Sequence, residues 1–223
     1  PSVLPPDSIA RVVDRVLGGA RGDVEITLES NPEDVEAERL AGWVDAGIDR
    51  LIVGAQSFDA EVLERLGRRH TVDEGRRAIV RASDASVSSV GVDLVFGSPG
   101  QTVGSFRDDL SYLRREEVVD AVFGFEYTDS DGVGGDPDGA FLEILCEEAA
   151  RMGLRREAVA SFARPGHESR HNRAYFTGEE YVGLGCAARS MQFDEKPGVV
   201  RRFNSPKVGD YLADPVGCGR ESR

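Results

Sequence analysis

Ile9, Val12, Val13 and Val16 recur at helical spacing and predict a helix over 8–17, opened by Asp7 or Ser8 and stopped by Gly18-Gly19. Val24, Ile26 and Leu28 then alternate with Glu25, Thr27 and Glu29 until Asn31-Pro32, the signature of a strand with one buried face. A helix is predicted over 32–46, with Val35, Leu40 and Val44 on one face and Gly47 as its stop, and the apolar run 48–53 is a strand. The pattern repeats: helices over 59–66 and 72–83, a strand over 90–96 ending at Gly97, a helix over 102–115 and a strand over 121–127.

Strands and helices in this alternation predict an α/β fold with a parallel sheet and right-handed crossovers, either open or part of a barrel. Polar residues gather where the strands end: Glu29 and Asn31, Gln56, Asp93, and Glu126. That rim is where parallel α/β folds hold ligands. After Tyr127 the composition changes to a Gly/Asp stretch without periodicity. The expected organisation is a domain over 1–128, a linker over 129–139 and a smaller α+β region over 140–223, with a clear helix over 140–152 and fraying from Val216.

Composition narrows the function. The 223-residue chain carries 40 Asp plus Glu against 27 Lys plus Arg, a net charge of −13, so no nucleic-acid partner is expected, because such binding relies on a basic footprint. Lys196 and Lys207 are the only lysines. An acidic, lysine-poor surface suits high salt, and GC-rich codons favour arginine equally well. No stretch has the roughly 20 apolar residues of a membrane span, and the first residues lack a signal-peptide layout, so a cytoplasmic protein without a transmembrane segment is expected. Cys146, Cys186 and Cys218 form no short clip of the kind that holds zinc or an iron–sulfur cluster, and no metal ligands are assigned.

Three short matches carry little. His167-Glu168-Ser169-Arg170-His171 fits the zinc-protease phrase, but Pro165-Gly166 before it and Asn172 after it argue against the long helix such a site needs. Gly183 to Ala188 fits a dinucleotide fingerprint without a convincing strand before it or helix after it. Gly132 to Gly135 has no Walker lysine and sits among aspartates.

Longer phrases say more. Glu25 to Pro32 (EITLESNP), Gly54-Ala55-Gln56-Ser57-Phe58 with Leu66-Gly67-Arg68, and Val92 to Thr102 (VDLVFGSPGQT) resemble the radical S-adenosylmethionine family of oxygen-independent coproporphyrinogen III oxidase-like proteins. Ser161 to Asn172, Tyr175-Phe176 and Tyr181 to Gly185 resemble its HemW heme-chaperone branch, so that the likeness runs from Pro1 to about Tyr211. By motif position the resemblance implies that Glu29, Gln56, Arg68 and Asp93 bind S-adenosylmethionine. These residue types suit its ammonium, ribose hydroxyls and carboxylate. It also implies heme binding by His171, Asn172, Tyr175 and Phe176, where an imidazole beside aromatic rings could act as axial ligand and porphyrin wall. Phe176 stands where the family has Trp, which removes the indole donor.

Other departures shape the expectation. The family's C-x-x-x-C-x-x-C loop for a [4Fe–4S] cluster is absent from this sequence, and Pro1-Ser2 match the tail of the family's Gly-Gly-Thr-Pro phrase. The expected fold is therefore a partial parallel (β/α) barrel lacking its first strands, which would leave a sheet edge prone to self-association. No catalytic residue is assigned. The family's Gly-Pro-Gly-Ala-His-Ser phrase reads Gly185 to Ser190 here, with Arg189 in place of His. The expected role is heme handling or porphyrin metabolism by a truncated HemW-like protein without radical chemistry of its own, with porphyrin or heme and a heme-accepting protein as partners. The alternative is a non-enzymatic heme- or partner-binding remnant.

Overall fold

The computed structural model describes residues 1–19, 22–128, 135–136, 138–193, 198–215 and 220–222. Helix α1 (Pro6–Leu17) starts two residues before the expected point, with proline in its first turn, and closes on Gly18 at φ 59°. Strand β1 is only Thr27–Ser30. Its parallel partner β2 (Arg50–Gln56) begins opposite Thr27, so Val24 and Glu25 have no strand beside them. The helix expected over 32–46 divides into a 3-10 turn (Pro32–Asp34) and α2 (Ala37–Asp45), because the chain bends at Val35 to bury that side chain completely.

Helices α3 (Ala60–Arg65), α4 (Val72–Ser83) and α5 (Val103–Glu116) each begin at a side-chain cap: Asp59, then the capping boxes Thr71/Glu74 and Thr102/Ser105. Strands β3 (Ser89–Phe96) and β4 (Ala121–Glu126) complete a four-stranded parallel sheet. Helix α6 (Ala140–Arg151) leads into an antiparallel hairpin, β5 (Arg155–Ala158) and β6 (Ser161–Ala163), and β6 pairs with β4, giving the order β1-β2-β3-β4-β6-β5. The fold is α/β with a mainly parallel sheet, as the alternation predicts. Among the described residues β1 pairs with β2 alone.

Strand alternation separates two layers of core. Leu51, Val53, Val90, Val92 and Leu94 face the helices and pack with Trp43, Ile79, Phe106, Leu110 and Leu145, while Ile52, Ala121, Phe123 and Ala163 form a smaller cluster of their own. Each such leucine is worth about 2 kcal/mol by burial. By the same alternation Glu29 and Asp93 lie on the Ile52 face, opposite Leu28 and Leu94. In α6, Glu148 is buried against α5 and pairs with Arg114 Nε at 3.2 Å and with Arg151.

The compact first unit runs Pro1–Glu168, well past the boundary expected at 128–139, because α6 packs on α5 and the hairpin extends the sheet. Most of the expected linker lies outside the described residues. The second unit, Ser169–Arg223, holds α7 (Arg170–Thr177), a three-stranded antiparallel sheet of β7 (Arg189–Phe193), β8 (Val199–Phe203) and β9 (Arg220–Ser222), and α8 (Val208–Ala213). Among its described residues Met191 is the only buried apolar side chain, accompanied by Ser169 and Ser190. Among the described residues no helix is long and apolar enough to cross a membrane.

Candidate functional site

The carboxyl ends of β1, β2 and β3 converge on an irregularity in β2. Val53 pairs with Val92 but the next pair is Gln56 with Leu94, so β2 spends one residue more than its neighbour, a bulge. Gln56 takes φ +66°, the left-handed region that non-glycine residues seldom occupy and that recurs at ligand sites.

External groups hold the bulge on both sides. Arg68 Nη2 donates to the Gly54 carbonyl at 3.4 Å and to Asn31 Oδ1 at 3.1 Å. His70, buried, lies with Nε2 3.1 Å from the Ala55 carbonyl, which can only accept, so the ring carries its proton on Nε2; burial lowers its pKa. Beyond Gln56, the buried Asp109 of α5 accepts from Ser57 Oγ at 2.7 Å and from the Phe58 N–H at 2.9 Å. Burial, with Asp59 and Asp108 nearby, raises the Asp109 carboxyl to about 7 against the pull of those two donors.

Within this frame the expected residues meet. A Cβ on Gly54 would lie 2.8 Å from Gln56 Nε2 and 3.7 Å from Arg68 Nη2, so the missing side chain leaves room for both donors over one spot. Asp93 is pushed to about 7, first by burial, then by the charge of Glu29, with Arg68 opposing. Glu29, Gln56, Arg68 and Asp93 thus form one mixed-charge group with amide and guanidinium donors, and Asn31 joins it through Arg68. Glu126 serves the loop instead: its Oε1 accepts the Asp136 N–H at 3.3 Å, where Gly135 backs onto Gly97 too closely for either to carry a side chain.

Asp109, Ser57 and His70 were not among the expected site residues. The signal for Asp109 was present, since with Phe106, Leu110 and Leu113 it falls on the apolar face of its helix, where an unpaired carboxylate has no other reason to be.

His171, Asn172, Tyr175 and Phe176 sit together on α7 in the second unit, with His171 and Tyr175, and Asn172 and Phe176, one turn apart. Ser169 caps the helix by accepting the Asn172 N–H at 3.1 Å. The Tyr175 ring lies 5.5 Å from Phe176, edge to face, and 5.2 Å from Tyr181, while Tyr175 and Phe176 remain 48% and 60% exposed. The zinc-protease phrase does not form one helix face: α7 begins at Arg170, so His167 precedes it, and Glu168 accepts the Gly166 N–H. A strand, β7, follows Gly183–Ala188 where a dinucleotide site needs a helix. Gly132 to Gly134 and Cys218 lie outside the described residues.

The residues fit S-adenosylmethionine and do not fit a [4Fe–4S] cluster. The Gly54 cradle, the Glu29/Asp93 acceptors and the Arg68 and Gln56 donors match an ammonium, a carboxylate and ribose hydroxyls. For iron, by contrast, the sequence has no three-cysteine clip, Cys146 and Cys186 lie far apart along the chain, and no metal-holding group of three His, Cys, Asp or Glu exists among the described residues.

The family model of the radical SAM superfamily matches residues 4–113. The heme chaperone HemW of Haemophilus influenzae is 30% identical over 235 residues, covering 95% of this chain and 60% of that protein. HemW of Bacillus subtilis is 28% identical, covering 95% and 59%, and the mitochondrial radical S-adenosyl methionine domain-containing protein 1 of Bos taurus is 32% identical, covering 84% and 46%. The chain thus spans about half of these relatives' lengths. Among solved structures, the Escherichia coli coproporphyrinogen III oxidase HemN, a radical SAM enzyme, superposes with TM-score 0.77 at 21% identity over 99% of this chain and 56% of that one, a likeness of fold. The sequence phrases, the family match and the relatives converge: over residues 4–113 the chain matches the radical SAM superfamily, and over nearly its whole length it is similar to HemW-like members of that family.

Proposed function

We propose that this chain binds S-adenosylmethionine at the β2 bulge and heme on α7, acting in heme handling as part of a HemW-like protein. The single observation that supports this most is the convergence of Glu29, Gln56, Arg68 and Asp93 on a strained, externally braced backbone. In this reading Arg68 pairs the ligand's carboxylate, Glu29 and Asp93 accept from its ammonium or ribose, and the Gln56 amide serves either. In this family S-adenosylmethionine supplies radical chemistry together with a [4Fe–4S] cluster. The cysteines of this sequence do not fit that cluster, and the part these side chains play is to bind and orient the ligand. On α7 the exposed Tyr175 and Phe176 rings offer apolar surface about one turn from His171, which supports heme binding with or without turnover.

Calorimetric titration with S-adenosylmethionine tests the rim. Saturable binding at one site, weakened at least tenfold in Arg68→Ala at a temperature where the variant is still folded, is expected. No saturable heat up to millimolar ligand, or equal binding by Arg68→Ala, would sink the reading.

A further inference from the structure

We propose that Asp109 is a positioning residue that holds Gln56 in its left-handed conformation, and so aims the Gln56 amide at the candidate cofactor site. The consequence for ligand rests on the cofactor reading above; the conformational claim does not.

A left-handed glutamine is disfavoured against its relaxed conformation, so surrounding contacts must impose it. The contacts bracket it. On one side the Gly54 and Ala55 carbonyls are held by Arg68 and His70. On the other, Asp109 takes the Ser57 hydroxyl and the Phe58 N–H on its two oxygens. Ser57 Oγ also accepts the Asp59 N–H at 3.1 Å, so its own proton is committed to Asp109 and the hydroxyl cannot rotate away. With 54–55 and 57–58 fixed, the turn between them falls on Gln56.

Asp109 is 2% exposed, and among the described residues no cation pairs with it. An unpaired carboxyl is an expensive way to fill a core position, and the acceptor role at both oxygens explains its presence. Helix α5 reinforces the hold one turn on: the Tyr112 ring packs 4.6 Å from the Phe58 ring, and Arg76 lies over both.

Backbone chemical shifts of Gln56 in the full chain test this without ligand. Asp109→Ala should move the Gln56 Cα and Cβ shifts from left-handed towards extended values. Ser57→Ala, which deletes the hydroxyl's bonds to Asp109 and from the Asp59 N–H and leaves the Phe58 N–H bond to Asp109 in place, should move them part of the way, and Asp109→Asn, whose amide oxygen still accepts the Phe58 N–H, should keep them close to the wild-type values. In parallel, S-adenosylmethionine affinity should fall at least tenfold in Asp109→Ala and stay within about threefold in Asp109→Asn. Unchanged Gln56 shifts in both Ser57→Ala and Asp109→Ala would overturn the assignment whatever the ligand does. If the wild-type chain fails to bind while the shifts move as expected, the cofactor reading falls and the positioning role stands.

Discussion

Replacing Asp93 with Asn should stabilise the protein at neutral and alkaline pH, and the gain should grow with pH. The Asp93 carboxyl titrates near 7 in the folded protein, chiefly because burial and Glu29 disfavour its charge, and near 3.9 unfolded. Between those values the folded state binds a proton that the unfolded state has released. Stability is therefore fully present below about pH 4 and is lost as pH rises to 7. The gap of about three pH units is worth at most about 4 kcal/mol, at about 1.4 kcal/mol each. Asp93 is only half-buried, and the opposing pull of Arg68 works against the shift, so about 2 kcal/mol between pH 5 and pH 8 is the working figure. Urea unfolding of both proteins at several pH values gives the answer as a difference, in which Asp109, titrating over the same range with the same sign, cancels. The expected result is a gap that widens with pH up to about 7 and then levels. A flat gap, or one that closes, would mean that Arg68 holds Asp93 ionised, and would refute the account of the site's electrostatics.

Two further outcomes follow from other contacts. Glu148→Ala should lower stability by about 1–3 kcal/mol in thermal unfolding, less than for a wholly buried pair, because the freed Arg114 and Arg151 side chains are already 43% and 53% exposed and can hydrate. Hemin titration followed by its absorption band should show binding weakened at least fivefold in His171→Ala and unchanged in His167→Ala; equal loss in both variants would move heme away from α7.

Elements with a clean period were legible in the sequence. Strands β3 and β4 and helix α5 lie within about two residues of expectation, since each is long, bounded by Gly or a cap, and buried on a continuous face. The hairpin β5–β6 was not, because its strands are very short and Arg155 and Arg156 interrupt any alternation. The bend at Val35 hides inside a helical pattern: its cause is a tertiary pocket for one valine, invisible to local propensity. At the site, Glu29, Gln56, Arg68 and Asp93 were named from motif phrases, and their meeting needed the register of β2 against β3. The left-handed Gln56 and the Asp109 hold have no local signature, because they join residues more than fifty positions apart.

The thin interior of the second unit has a consequence for how it orders. Among the described residues a single buried methionine contributes about 2 kcal/mol, far less than is needed to fix the backbone of a helix-and-sheet region. Its amides should therefore exchange with solvent through local opening long before those of β2 or β3. Meanwhile Phe176, Val182, Leu184, Val208 and Leu212 present apolar surface to water. Whatever covers that surface suppresses the opening to an extent set by its affinity and its concentration, so that in this region recognition and folding are measured together.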